Sequence, residues 1–127
     1  MSELLNKETV KRVEKSLRAF DGNLKVIALD QTARTAKDAA SSLKCELGAI
    51  VKSLVFKAEN EFIVCLVSGD KRCSLNKLKK ILNKKDVAMA NANEVKDHTG
   101  FSIGGVSPIG YLKKLNIMPE LELIIVI

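Results

Sequence analysis

The sequence predicts a single soluble α+β domain, with a central mixed β-sheet flanked by helices. Three observations carry this prediction. Segments with helical and strand periodicity are interspersed along the chain rather than gathered into two blocks. Two β-rich runs, residues 50–57 and 62–68, stand one short connection apart, so at least one hairpin is expected. The 127 residues are 46% hydrophobic, enough for one core, and no linker, repeat or low-complexity stretch divides them.

The elements follow in order. Residues 7–20 read as an amphipathic helix, because Val10, Val13, Leu17 and Phe20 recur at spacings of three and four. Asp21-Gly22-Asn23 breaks it, with Gly22 suited to a positive φ. Residues 24–29 form a short β-like run, and 30–34 a polar loop. Thr35-Ala36-Lys37-Asp38 has the spacing of a capping box in its weaker Asp form, so a second helix is expected over 36–43. The hairpin comes next and ends in the turn Ser68-Gly69-Asp70. Ser74 caps a third helix with Leu75, Leu78 and Leu82 on one side, and Asn83 ends it. Residues 87–90 read as a short strand, 93–98 as a short helix or turn, and 121–127 as a closing strand.

Composition narrows the function classes. With four Phe, one Tyr and no Trp, the core is expected to be mostly aliphatic. The first ten residues lack an apolar signal region, and no apolar run approaches the roughly 20 residues of a membrane span. A soluble cytoplasmic protein without a membrane partner is expected. Cys45, Cys65 and Cys73 are an odd set without C-x-x-C spacing, which argues against a disulfide framework and against a zinc site. Cys65 lies in an apolar run and reads as a buried free thiol. His98, the lone histidine, reads as structural or surface, and Asp70, Glu94 and Asp97 show no catalytic spacing. The net charge of +6 points to an anionic partner, nucleic acid being the commonest.

Two features carry potential chemistry. Strand alternation places Lys52 on one face with Ile50, Leu54 and Phe56, and Ser53 on the other with Val51 and Val55. A charge among large apolar groups either snorkels to water from an edge strand or projects into a pocket to hold an anionic or carbonyl group. The second feature is the loop Gly104-Gly105-Val106-Ser107-Pro108-Ile109-Gly110. Such glycine-rich backbone either makes a plain turn or aims N–H groups at an anion or a developing oxyanion. Its spacing fits neither an ATP-binding P-loop nor a dinucleotide fingerprint. A third feature, the lysines Lys77, Lys79, Lys80, Lys84 and Lys85, reads as a solvated helix face or as a track for a phosphate backbone. Aromatic residues are too few for base-stacking platforms.

The order of these features resembles a known family. The runs Ile50-Val51-Lys52-Ser53-Leu54-Val55-Phe56, Ser74-Leu75-Asn76-Lys77-Leu78-Lys79-Lys80 and Met89-Ala90 precede Thr99-Gly100-Phe101-Ser102-Ile103-Gly104-Gly105-Val106-Ser107-Pro108-Ile109-Gly110. Together they resemble the YbaK and prolyl-tRNA-synthetase-associated editing domains. The resemblance implies a YbaK-like fold and a cofactor-free aminoacyl-tRNA deacylase that removes a wrong, small amino acid, with proline tRNA the expected carrier. It implies that Lys52 matches the family's essential lysine, and that Gly104 and Gly105 offer N–H groups to the oxyanion. Ser53, Ser107, Pro108 and Gly110 then shape the substrate site. Lys52 either positions substrate or acts as a base, and positioning is favoured. Lys77, Lys80, Lys84 and Lys85 are the residues expected to contact tRNA. The expected partners are the acceptor end of an aminoacyl-tRNA and prolyl-tRNA synthetase. Two departures are visible. Relatives specific for cysteine carry a Tyr after the first strand, where this chain has Leu29-Asp30-Gln31. Free-standing relatives continue past a strand equivalent to 121–127, so residues 1–127 are expected to form the domain without its C-terminal tail. The alternative reading is a non-catalytic module of the same fold that binds tRNA or synthetase.

Overall fold

The fold is described from a computed structural model covering residues 5–29, 35–118 and 124–125, with backbone alone for 116–118 and 124–125. A β-hairpin forms its centre. Strands β1 (Val51–Ala58) and β2 (Glu61–Ser68) pair antiparallel along their whole length, from Val51 opposite Ser68 to Ala58 opposite Glu61. The two-residue turn places Glu59 in the left-handed region, at φ 55°. Strand β4 (Val87–Met89) adds antiparallel to the other side of β1, and β5 (Asn116–Met118) adds parallel to β2. The sheet order is β4-β1-β2-β5, the mixed sheet expected from the sequence. A second, two-stranded sheet joins β3 (Arg72–Cys73) to β6 (Ile124–Ile125).

Both faces of the hairpin are buried. Phe56, Ile63, Cys65 and Val67 form one core cluster with Leu78, and Leu54 packs against it. Val55 and Val64 form the other with Ala90 and Val95. The strand alternation therefore separates two cores rather than a core and a solvent face, because helices and the glycine loop cover the second side.

Local signals explain the helices. Helix α1 (Glu8–Phe20) carries the half-buried stripe Val10, Val13 and Leu17, but Phe20 is 87% exposed at its end. It ends differently from the expectation. Asp21 is extended, at φ −152°, and its carboxylate accepts the Asn23 N–H at 2.9 Å, so no positive φ is needed at Gly22. Helix α2 (Ala36–Leu43) starts where expected: Thr35 Oγ1 accepts the Asp38 N–H at 3.1 Å. Helix α3 (Leu75–Leu82) is capped by Ser74 and closed by Asn83 at φ 54°. Its Leu78 is fully buried, worth roughly 2 kcal/mol of apolar burial. Helix α4 (Ala92–Thr99) begins with a reciprocal capping box between Asn91 and Glu94.

The β-like run 24–29 is not a strand. Its backbone joins no ladder among the described residues, and Ile27 is 66% exposed. β-propensity makes a segment extended, but only a partner makes it a strand. The short strands β3 and β5 were not apparent in the sequence pattern. Of the predicted strand 121–127, residues 124 and 125 pair with β3, and the rest lies outside the described residues.

Candidate functional site

A cavity of about 590 Å³ lies beside the first half of β1. It exists because β4 is short. Its register with β1 covers only Phe56, Lys57 and Ala58, and the Ala90 N–H then closes on the Val55 carbonyl at 3.0 Å. Beyond that point β1 has no neighbour on this edge among the described residues, and the cavity takes the strand's place. Ala36 and Ala39 of α2 form one wall, Met89 and Ala90 another, and Ile103, Gly104 and Val106 of the glycine loop a third. Small residues at 36 and 39, three apart on one helical face, leave room for an occupant. Val51, Met89 and Ile103 are each about half exposed and give the mouth an apolar rim. The volume suits a small-molecule-sized group.

Lys52 and Ser53 both line this cavity, as does Gly104. The Lys52 ammonium donates to the Lys71 carbonyl at 2.9 Å. Among the described residues that leaves two of its three N–H donors for an occupant. No carboxylate stands within 4 Å of it among the described residues. An ammonium steadied by one neutral carbonyl, with no acid paired to it among the described residues, attracts an anion or a polarised carbonyl oxygen. Gly104 has φ +83°, and a Cβ there would meet nothing within 4 Å. Backbone conformation, not crowding, therefore selects glycine at this position. Its N–H has no hydrogen-bond acceptor among the described residues.

The rest of the loop does other work. The Gly105 N–H is taken by Ser102 O at 2.8 Å, closing a tight turn, so it is not a free donor in this structure. Ser107 Oγ accepts the Ile109 N–H at 3.2 Å, and Pro108 is exposed. Gly105, Ser107, Pro108 and Gly110 do not line the cavity. Ser53 Oγ and Tyr111 Oη are neighbours, both buried, and neither makes a hydrogen bond of acceptable geometry among the described residues. Burial pushes the Tyr111 phenol up to about 12 from 10.0.

Cys65, His98, Asp70 and the lysines of α3 stand outside the cavity. Cys65 is completely buried, and that burial raises its thiol pKa well above the ordinary value, so it is not a nucleophile. His98 donates from Nδ1 to Glu94 O at 3.0 Å and stacks on Phe62, with ring centroids 3.9 Å apart. Asp70 is held below the ordinary carboxylate range by the Ser68 hydroxyl, whose oxygen lies 2.7 Å from it. Lys77, Lys80, Lys84 and Lys85 sit on or just after α3 and do not line the cavity. Lys84 lies 3.9 Å from Glu59.

Sequence reasoning alone missed the α2 wall and the apolar rim. The only local signal for the wall was the small-residue pair Ala36 and Ala39. The rim had none, because Val51, Met89 and Ile103 come from three separate elements.

Comparison with known proteins gives a consistent result. The sequence profile of the aminoacyl-tRNA editing domain matches residues 30–124. The chain is 39% identical over 77 residues to a proline–tRNA ligase of Thermosipho africanus, covering 61% of this chain and 14% of that protein. It is 33% identical over 87 residues to the proline–tRNA ligase of Kosmotoga olearia, covering 68% of this chain and 15% of the ligase. The chain thus spans about one seventh of the length of the curated relatives it matches. A crystal structure described as a candidate trans-editing enzyme for prolyl tRNA synthetase superposes with a TM-score of 0.83 at 38% identity, over 89% of this chain and 72% of the other.

Proposed function

The chain belongs to the aminoacyl-tRNA editing domain family, and from that premise we propose that it is a trans-acting deacylase of mischarged tRNA. The observation that carries the proposal is the presence of Lys52 and Gly104 on one cavity. The substrate ester is already activated, so a protein nucleophile is unnecessary, and positioning a water against the carbonyl suffices. Water adds to the carbonyl carbon. The negative charge that develops on the carbonyl oxygen is met by the Gly104 N–H. The tetrahedral intermediate then collapses, the terminal ribose oxygen leaves with a proton from the attacking water, and the free amino acid departs. Lys52 acts as a fixed cation that orients the carbonyl region or the terminal phosphate. Its ammonium is donating to a carbonyl, which suits a positioning role better than that of a base.

The relatives' names support proline tRNA as the carrier and prolyl-tRNA synthetase as a functional partner. The small walls at Ala36 and Ala39 support a small acyl group, although a methylene or two alone discriminates only weakly.

The test is a deacylation screen with alanyl, cysteinyl, seryl and threonyl esters on proline tRNA and on their own tRNAs. Wild type releases at least one amino acid, and Lys52→Ala lowers kcat/KM by roughly a hundredfold or more without changing the melting temperature by more than a few degrees. Full activity in Lys52→Ala removes Lys52 from the mechanism. Salt-sensitive tRNA binding without turnover of any ester replaces the deacylase with a binding module.

A further inference from the structure

Arg12 lies on α1, distant in sequence from every residue of the cavity, and its guanidinium reaches the two ends of the segment that carries the glycine loop, Thr99 at the end of α4 and Gly110. Nε donates to Gly110 O at 2.6 Å, and Nη2 donates to Thr99 O at 3.1 Å. The guanidinium carbon stands 4.7 Å from the centroid of the Phe101 ring. Those two carbonyls bracket the segment that delivers Ile103, Gly104 and Val106 to the cavity wall. One planar fork therefore ties both feet of the loop to one point on α1.

The backbone is shaped to admit this fork. Gly100 has φ +81°, and a Cβ there would collide with Arg12 Nη2 and with Leu112 Cγ. At the other foot, a Cβ on Gly110 would stand 3.4 Å from Val13 Cα, so the loop lies directly on α1. No carboxylate pairs with Arg12 among the described residues, and its hydrogen bonds with them go to the Gly110 and Thr99 carbonyls.

We propose that Arg12 is a positioning residue, which fixes the span of the glycine loop so that the Gly104 N–H is presented to the cavity that Lys52 lines. The effect on turnover rests on the deacylase reading, whereas the restraint on the loop does not. Lysine at this position would keep the charge but lose the two-pronged geometry, so charge alone would restore little.

The experiment compares wild type, Arg12→Lys and Arg12→Ala in the full chain. Amide hydrogen exchange reads the loop, and deacylation kinetics on alanyl-tRNA(Pro), or on whichever screened ester wild type cleaves fastest, read the site. In Arg12→Ala the amides of Gly105, Ile109 and Leu112 exchange roughly tenfold faster or more, since one lost charge-assisted hydrogen bond accounts for about that factor and the variant removes two, while residues 63–67 keep their protection. The kcat falls by roughly tenfold or more with KM within about twofold, and Arg12→Lys recovers only part of the loss. If Arg12→Ala does not fold, the same comparison is made with Arg12→Lys alone. Unchanged loop exchange, or a uniform loss of protection across the sheet, overturns the proposal. So does a variant whose loop loosens while kcat is retained. If wild type cleaves none of the esters, the deacylase reading fails, and the exchange data alone decide whether Arg12 restrains the loop.

Discussion

Tyr111 buries a hydroxyl that makes no hydrogen bond among the described residues, next to an equally unpartnered Ser53. A buried hydroxyl without a partner costs folding free energy, so removing it is harmless. Tyr111→Phe is expected to leave stability at pH 7 unchanged or to raise it by up to about 1 kcal/mol, read from urea denaturation. The phenol also sets a pH signature. Its folded pKa is pushed up to about 12, above 10.0, by burial. Between these values the unfolded chain has lost the proton and the native one has not, so stability falls as pH rises past 10.0. Tyr111→Phe abolishes that part of the fall, and the absorbance of the chain's single tyrosine follows the ionisation directly. At this scale the sequence was partly legible. Alternation along β1 marked Lys52 as an oddly placed charge, but left open whether it reached water or a cavity. The Lys71 carbonyl that steadies it stands at the end of the Ser68-Gly69-Asp70 turn, which the sequence shows, but nothing in the turn's pattern says which side chain its carbonyl will meet. Arg12 was illegible, because a basic residue near the start of an amphipathic helix looks like any solvated one.

Helices were legible as elements because their stop and start signals are local. Thr35, Ser74 and Asn83 each cap within one turn of the residue that announces them. Strands depend on partners far along the chain. That is why residues 24–29, β-rich but unpaired among the described residues, looked like a strand, and why β5, only three residues long, did not. The Asn91–Glu94 box at α4 makes a local signal testable by pH. Glu94 is held below its ordinary value of 4.5 first by the Asn91 N–H and then by Lys57, 3.3 Å away. A depressed carboxylate contributes stability above its unfolded pKa and loses it as pH falls through the folded one. Glu94→Gln is therefore expected to melt at a lower temperature than wild type at pH 7. The two melting curves converge as pH drops below 4.5. A gap that stays constant from pH 7 to pH 3 would show that the charge on Glu94 does not matter to the cap.

At the scale of the whole molecule, the fold class follows from alternating periodicities, but the cavity does not. It is assembled from α2, β1, the end of β4, Val95 of α4 and the glycine loop, and only the short reach of β4 leaves the space between them. No periodicity encodes a strand that stops early. The charge distribution, by contrast, can be read from the sequence and tested on the folded chain. The net charge is +6, and α3 carries Lys77 and Lys80 exposed, just after the segment whose carbonyl holds Lys52. Lys84 is half-buried and close to Glu59, so part of its charge is already answered. If α3 follows the phosphate backbone of a tRNA whose acceptor end enters the cavity, Lys77 and Lys80 should contribute more than Lys84. The double variant Lys77→Ala and Lys80→Ala is expected to weaken tRNA binding and to reduce the slope of log affinity against log salt by about 2, one unit per lost phosphate contact. Its kcat at saturating tRNA stays at the wild-type value, because neither lysine lines the cavity. Lys84→Ala changes the slope by less than either. A double variant with the wild-type salt slope would place the tRNA on another face of the molecule.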